Sequence, residues 1–576
     1  MSNPPSHRRS RTPSTLRMTQ PPAMKTKSYT YGVETVNGND AWALFEACAR
    51  GDVPAAKVLV KKDQRLVKAQ YWYRFPIHLA VFAGSSELVE LLLENGADPG
   101  QSIYTYDSWP KLLRCAQERG DRAVKSLLTR AMQARFGYDP RFESLKEAII
   151  ARDPRKVGTV LRQQPNLARA SDALGNNALH WSVITRQLEL IRRFVELGTP
   201  IDAKRADGHT PVLLAVNGAT DYWHRATRGR SHPSLRNTSV IVGSLLALGA
   251  DYSISVAAAV GDQERVEALV RAEPELATRL DPARISPLSH AAREGHLHLV
   301  RLLLEHGADP NRPEEAAPHG RALFEACLRN HRQVAELLLE NGADPNAGVD
   351  SSGCCLTIGV VYHGDQAKPL ERLLLQHGAL MPPYVMSASQ LKRAIRDNQE
   401  MTQHGEFLGC VLAKRDPALL DLYLDLKQGS PKGKGAARLH FGDGLPYPGR
   451  PSLIRQLLDR GLDPKGTDWL GKTFLHASAE QGDRTGAAML LEAGADINAR
   501  DVEFRGTPLA TAVRAWCNAA DAGQEPRRRR MVEFLLKRGA ATNLPGDAPW
   551  STPLAWATRA GKAEIIELLK RHGAVS

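Results

Sequence analysis

Two short apolar runs of helical periodicity alternate along most of the chain, separated by glycines and polar turns. In the stretch 285–346 the first run (288–293) is rich in alanine, and the second (297–305) places leucine and valine at helical spacing. The sequence Gly-Ala-Asp-Pro-Asn begins at Gly307 and again at Gly342, a period of 35 residues. Self-similarity at such a period predicts stacked repeats, because one helix pair cannot bury its apolar face alone.

Proline and glycine mark the ends of the predicted helices. Ser-Pro or Thr-Pro stands before several first runs, where proline is tolerated in the first turn of a helix. A glycine follows the second run, as at Gly307, Gly342, Gly494 and Gly573. This is the position of a left-handed C-terminal cap, which glycine adopts without strain. Each period therefore predicts a helix-turn-helix unit.

The start of the first helix carries a recurring motif. Its copies are Phe75-Pro76-Ile77-His78-Leu79-Ala80, Asn177-Ala178-Leu179-His180-Trp181-Ser182, Thr210-Pro211-Val212-Leu213, Ser286-Pro287-Leu288-Ser289-His290-Ala291, Thr473-Phe474-Leu475-His476-Ala477, Thr507-Pro508-Leu509 and Thr552-Pro553-Leu554. Together with the Gly-Ala-Asp endings, these copies resemble the ankyrin repeat over roughly residues 39–576. The resemblance implies an all-α solenoid of helix-turn-helix units with loop or β-hairpin fingers, and it implies that the motif histidines bind backbone between units.

The pattern predicts about 14 units, some of them degenerate, in four segments. Residues 1–38 lack apolar periodicity and are expected to form a disordered basic tail, followed by a repeat array over 39–384. In 385–469 the pattern loosens around a loop rich in glycine, lysine and proline, and regular repeats with a C-terminal cap fill 470–576.

The composition of the chain limits the classes of function that the protein can have. The formal net charge is +13, of which the first 30 residues contribute +6 with no acidic residue. The seven cysteines fit no metal motif and read as small buried side chains in a reducing compartment. Neither an apolar stretch of membrane-spanning length nor a catalytic motif is recognisable. We therefore expect a cytoplasmic, non-enzymatic protein without a cofactor or a metal site.

Aromatic residues are concentrated in two successive predicted fingers. They are Tyr71, Trp72, Tyr73, Phe75, Tyr104, Tyr106 and Trp109. Tyrosine and tryptophan are frequent at binding hot spots, because they bury a large area at a small cost in side-chain entropy. Either these rings contact a protein partner, or the two fingers stack on each other; the sequence leaves both readings open.

Arginines recur where several first helices end. Arg50, Arg119, Arg152 and Arg186 hold equivalent places in their units. In register they would form a positive ridge that favours an acidic partner, although they could equally be solvated side chains of an arginine-rich chain. A further run, Arg527-Arg528-Arg529-Arg530, lies in a predicted insertion before a helix at 531–537.

Ankyrin-like solenoids bind other proteins, so the resemblance implies a protein-binding scaffold that uses its concave helices and fingers. A nucleic-acid-binding protein that uses the arginine ridge and the basic insertions is the alternative, and it predicts an affinity that falls steeply with salt. An enzyme hidden in 385–450 would require polar residues that converge in a pocket there.

Overall fold

A computed structural model describes residues 18–31, 34–101, 108–217, 238–349, 353–381, 386–396, 407–428, 447–518 and 522–575. In these residues the fold is an all-α solenoid built from pairs of short helices, with two small hairpins. We number the thirteen regular helix pairs as units 1–13 and call the loop before each first helix a finger.

The first helices of units 1–13 are Gly38–Arg50, Pro76–Ala83, Ser108–Glu118, Glu143–Ile150, Ala178–Ile184, Pro211–Val216, Ile254–Val260, Pro287–Glu294, Ala322–Leu328, Cys355–His363, Phe474–Gln481, Pro508–Cys517 and Pro553–Arg559. The second helices are Val53–Lys62, Ser86–Glu94, Arg122–Phe136, Pro154–Gln163, Leu188–Glu196, Thr238–Ala247, Gln263–Ala272, Leu297–Glu305, Arg332–Glu340, Lys368–Gln376, Arg484–Glu492, Glu525–Lys537 and Ala563–Arg571. First helices pack on neighbouring first helices and second helices on second helices, which gives a two-layered stack.

The helix ends follow the signals in the sequence. Ser286 Oγ accepts a hydrogen bond from the backbone N–H of Ser289 at 3.1 Å and caps the first helix of unit 8. After the second helix of that unit, Gly307 takes φ +83°. The predicted alternation of proline-containing starts and glycine ends is therefore confirmed in this unit, and it recurs along the array.

Two antiparallel hairpins accompany the helices. β1 (Tyr29–Tyr31) pairs with β2 (Glu34–Val36), with Tyr29 opposite Val36. β3 (Gly348–Val349) pairs with β4 (Gly353–Cys354) in the finger of unit 10. Short 3-10 helices lie at Pro22–Met24, Gln64–Lys68, Pro140–Phe142, Pro165–Arg169, Pro274–Ala277, Gly364–Ala367 and Ala522–Gln524.

The ordered array begins before the predicted boundary at residue 38. Met24 is fully buried against unit 1, and Gln20 Nε2 donates a hydrogen bond to Asn39 Oδ1 at 3.0 Å. The expectation of disorder up to residue 38 is therefore corrected for 18–31 and 34–38, since this segment covers the open end of the first core. Residues 1–17 lie outside the described part of the chain.

The divergent segment contains repeat-like geometry. Its helices are Ala388–Arg396, Phe407–Lys414, Pro417–Gln428 and Pro451–Asp459. Phe407–Lys414 and Pro417–Gln428 are joined through Arg415 at φ +61°, the same left-handed turn that Arg152 and Asn330 make between the helices of units 4 and 9. These two helices are thus joined by the same kind of turn as the helices of a regular unit. Most of the predicted loop (429–446) lies outside the described residues.

Five clusters of buried apolar side chains follow one another along the solenoid. Most of them join neighbouring units. The cluster of units 1–3 also includes Trp469, Leu470 and Val502, which belong to the fingers of units 11 and 12. The C-terminal units therefore reach back to the N-terminal ones.

Candidate functional site

A two-residue turn at the tip of the unit 2 finger carries the most exposed aromatic ring among the described members of the predicted set. Tyr71 and Arg74 exchange backbone hydrogen bonds of 2.9 and 3.0 Å, and Trp72 and Tyr73 lie between them at φ +46° and +60°. Such turns favour glycine and asparagine at both central positions. The Trp72 side chain is 59% exposed, whereas Phe75 at the base of the finger is buried.

Of the second predicted aromatic finger only Trp109 is described, and the structure places it in the first helix of unit 3 (Ser108–Glu118), not in a finger. Trp109 is fully buried, lies edge-on to Phe136 with ring centroids 6.1 Å apart, and receives the Arg135 guanidinium 5.3 Å above its ring. It therefore offers no ring to a partner in this conformation. Tyr104 and Tyr106 lie outside the described residues.

Two of the four predicted ridge arginines are bound to backbone. Arg119 Nη1 donates to the carbonyl of Phe82 at 2.7 Å and Nη2 to that of Ala83 at 3.2 Å. Arg152 donates to the carbonyl of Thr185. These side chains satisfy carbonyls at the ends of neighbouring first helices, which have no partner within their own helix. They therefore link neighbouring units through hydrogen bonds from side chain to backbone.

The other two arginines differ in exposure. Arg50 is exposed and pairs with Glu46 at 3.4 Å across one helical turn. Arg186 is half-buried, with φ +54°, in the turn between the two helices of unit 5. Arg50 has a described ion pair on the surface, Arg119 and Arg152 bind backbone, and Arg186 is half-buried, so the four arginines differ in what they contact.

The motif histidines connect consecutive units. His476 Nδ1 accepts the backbone N–H of Thr473 at 3.1 Å, so its Nε2–H donates to the carbonyl of Gly506 in the next finger, also at 3.1 Å. His180 makes the same bridge from Asn177 to the carbonyl of His209. Burial lowers the pKa of His476 to about 4 and that of His180 to about 3, which keeps both rings neutral. The implied backbone role of these two histidines is confirmed.

His290 holds the same motif position but makes a different contact. Its Nε2 lies 2.8 Å from Oδ2 of the buried Asp281 in its own finger. The ring therefore contacts a side chain of the finger, and the residue remains structural.

Aromatic side chains from the C-terminal fingers lie on the first-helix layer of units 1 and 2. The Trp469 ring meets Phe45 and Tyr71 edge-on, with centroids 6.1 and 5.2 Å away. Phe504 of the unit 12 finger lies 6.2 Å from Phe82. The surface that the sequence suggested for a partner is thus partly covered by the chain itself.

Comparison with known sequences identifies the repeats. The family model described as ankyrin repeats (3 copies) matches residues 26–103 and 254–348, and the model of the single ankyrin repeat matches 470–502. Ankyrin repeats therefore make up these three stretches of the chain.

Its similarity to individual curated proteins is partial. The ankyrin protein is 34% identical to a putative ankyrin repeat protein of Rickettsia bellii over 21% of this chain and 33% of the relative. It is 28% identical to the mouse NF-kappa-B inhibitor delta over 21% of this chain and 40% of the relative. It is 23% identical to the human transient receptor potential cation channel subfamily A member 1 over 33% of this chain and 17% of the channel. The chain thus spans well under half of each of these relatives, and their likeness supports the repeat and its general use in protein–protein interaction.

Two further features of the ankyrin array concern metal binding and membrane-spanning helices. Within the described residues, no three His, Cys, Asp or Glu side chains gather where they could share a metal ion. Across the same residues, no helix is long and apolar enough to span a membrane.

The arginine run belongs to a helix in this ankyrin protein. The second helix of unit 12 begins at Glu525, not at the predicted residue 531, so the run lies inside its first turns. Arg527 Nε donates to the Gly482 carbonyl at 3.3 Å, and Arg529 pairs with Glu533 at 2.9 Å. Arg528 donates to the carbonyl of Ala515. Three of the four arginines are therefore engaged within the chain.

Sequence reasoning missed the C-terminal residues that face units 1–3. They are Trp469, Glu503, Phe504 and Trp550. All four lie in fingers of the ankyrin array, as do Tyr71, Trp72 and Tyr73 of the set that the sequence singled out near the N-terminus. The position of these side chains in the C-terminal fingers was a usable signal, although it does not say which distant unit they contact.

Proposed function

We propose that this ankyrin array is a non-enzymatic scaffold that binds a protein partner, with the unit 2 fingertip as an anchor. The observation that carries the proposal is Trp72, an exposed ring on a turn whose backbone geometry does not suit it. A left-handed conformation costs a non-glycine residue on the order of 1–3 kcal/mol, and here two adjacent aromatic residues adopt it. A tolerated strain of this kind favours a functional role for the side chains that it presents.

Contacts at the base of the unit 2 finger also hold the fingertip in place. Phe75 and His78 fix the start of the first helix of unit 2, since the Phe75 backbone N–H donates to His78 Nδ1 at 3.0 Å. Tyr71 packs on Trp469 on one side of the turn. Because its base is rigid, little conformational entropy would be lost when Trp72 enters a pocket on a partner.

Affinity capture with mass spectrometry tests this proposal. Three full-length proteins are compared: the wild type, Trp72→Ala, and the control Leu197→Ala, which removes an exposed apolar side chain (44% exposed) from unit 5. We expect a protein that the wild type and Leu197→Ala both capture to be lost or reduced at least about tenfold with Trp72→Ala, as for a truncated hot spot.

Circular dichroism establishes that the three proteins are equally folded before capture. Identical sets and amounts of captured proteins from all three would contradict the anchor role of Trp72. Recovery of nucleic acid alone, removable by salt, would favour the alternative function.

A further inference from the structure

We propose that the face formed by the first helices of units 1–3 and the unit 2 finger docks an acidic segment flanked by aromatic residues in a partner protein, and that the C-terminal fingers occupy this face within the chain. The inference rests on the proposed protein-binding function and names the chemistry of the partner. We define the docking face by five residues: Phe45, Tyr71, Arg74, Phe82 and Arg119. Its occupant within the chain is the group Trp469, Glu503, Phe504 and Trp550.

The ion pair at the centre of this contact joins residues far apart in sequence. Arg74 Nη2 lies 2.7 Å from Glu503 Oε1, and the Glu503 side chain is only 6% exposed. Lys472, from the finger of unit 11, approaches the other carboxylate oxygen at 3.1 Å. Although burial alone raises the pKa of Glu503, these two cations hold it at about 2. The docking face therefore receives a fully ionised acidic side chain.

Aromatic contacts surround this pair. Trp469 packs edge-on against Tyr71 on one side, and Phe504 follows Glu503 directly and packs on Phe82. The Trp550 ring lies under the Arg119 guanidinium at 4.6 Å, a cation–π distance. The face thus selects for an acidic residue with an aromatic neighbour, and for a second ring that can stack on an arginine.

The nature of the contact makes it exchangeable. Neighbouring units are joined by stacked helices, whereas this contact is made by side chains of the C-terminal fingers that meet the unit 2 finger and the first helices of distant units. A buried ion pair contributes little net stability once the desolvation of both charges is counted. A partner segment that supplies the same carboxylate and rings can therefore replace the fingers, because it recovers the interactions that it breaks.

Because the C-terminal fingers occupy the docking face, they lower the apparent affinity of that face for a partner segment. If the contact is closed in about 99% of molecules, a competing segment binds about 100-fold more weakly than it would to an open face. Opening the contact by substitution in the fingers should therefore raise affinity without any change in the docking face.

A peptide-binding titration on the full-length chain tests this. The probe is a fluorescent peptide with the sequence of residues 498–507, which carries the Val502-Glu503-Phe504 finger. The open variant is Glu503→Ala with Phe504→Ala, which removes two of the four occupant side chains and leaves the docking face intact. We expect the open variant to bind the probe at least about tenfold more tightly than the wild type.

A charge reversal distinguishes a specific site from a misfolded protein. Adding Arg74→Glu to the open variant should abolish binding of the probe, and a probe with Arg in place of its Glu503 equivalent should restore it. Equal affinity of the wild type and the open variant, or no restoration by the reversed probe, would overturn the proposal. Concentration-dependent dimers of the open variant in sedimentation would also overturn it, since the occupant would then be a second copy of this chain.

The proposal that Trp72 is an anchor and the proposal of the docking face can be refuted independently. Trp72 is not one of the docking-face residues, so Trp72-dependent capture can persist when the peptide experiment fails. Loss of Trp72-dependent capture together with successful peptide binding would instead leave the docking face as the binding site of the scaffold.

Discussion

Arg205 and Asp207 form a bidentate ion pair inside the finger of unit 6. Nε and Nη2 of Arg205 lie 2.7 and 2.6 Å from the two carboxylate oxygens of Asp207, and their side chains are 0% and 1% exposed. Arg205 also donates to Asn176 Oδ1 at 3.2 Å in the preceding finger. The pair therefore ties adjacent fingers together in a site without solvent.

Replacement of Arg205 by alanine should strongly destabilise the array. The substitution leaves the Asp207 carboxylate buried without its main cation, which costs on the order of 3–5 kcal/mol. The Asp63–Arg65 pair offers a matched control: the two residues have the same spacing, but the Arg65 side chain is 59% exposed. Urea unfolding should show a large decrease in midpoint for Arg205→Ala and little change for Arg65→Ala; equal changes would contradict the buried role.

Because the fingertip is strained, we expect that replacing Trp72 will raise the stability of the protein and weaken its binding to a partner. Asparagine tolerates the left-handed conformation better than tryptophan, so Trp72→Asn should stabilise the turn by about 1 kcal/mol. The same substitution should weaken capture of the partner as much as Trp72→Ala does. Parallel thermal unfolding and capture experiments check this, and a less stable Trp72→Asn protein would show that the tryptophan ring is structural.

The neutral motif histidines predict a loss of stability in acid. The pKa of His476 is about 4 in the fold and 6.5 in the reference state, so the unfolded chain binds the proton more readily between these values. The contribution of His476 is complete above pH 6.5 and is lost as the pH falls towards 4, on the order of 3 kcal/mol. Urea unfolding from pH 7 to pH 4.5 should show a shallower pH dependence for His476→Gln than for the wild type, and parallel curves would contradict the assignment.

Two glycines in unit 8 allow the cost of backbone strain to be measured apart from the cost of a steric contact. Gly295 and Gly307 take φ +78° and +83°, so alanine at either position is strained by a similar amount. At Gly295 an added Cβ would also lie 2.7 Å from the His331 ring, whereas at Gly307 nothing lies within 4 Å. His331 Nε2 contacts the carbonyl of Arg293 at 3.1 Å, so this ring has little freedom to move.

Gly295→Ala should therefore lower the thermal unfolding temperature more than Gly307→Ala does. The strain common to both is about 1–2 kcal/mol, and the excess at Gly295 reports the contact with His331. Addition of His331→Ala should remove that excess. Equal effects of the two alanine substitutions would show that the ring yields without cost.

The sequence predicted most of the local structure because its signals act within one unit. Ser286 caps its helix through the backbone N–H of Ser289, three residues away, and Gly307 ends one through its own backbone. The helix at Glu525–Lys537 was predicted to begin too late, since four consecutive arginines read as an insertion while their contacts to Gly482 and Ala515 depend on neighbouring units. The site was harder to predict, because Trp72 and Trp109 were both expected in fingers, whereas Trp72 is exposed in a turn and Trp109 is buried in a helix.

By itself the sequence determined the repeat, the helix pairs, their caps and the bridging role of His180 and His476, since each depends on contacts within a unit or with the next one. The tertiary structure decided which side of the solenoid remains free. The pairing of Arg74 with Glu503 joins two fingers that are 429 residues apart in the sequence. Small rotations between neighbours add up over that distance and leave no periodic trace in the sequence, so the contact between the two ends of the array appears only in the folded protein.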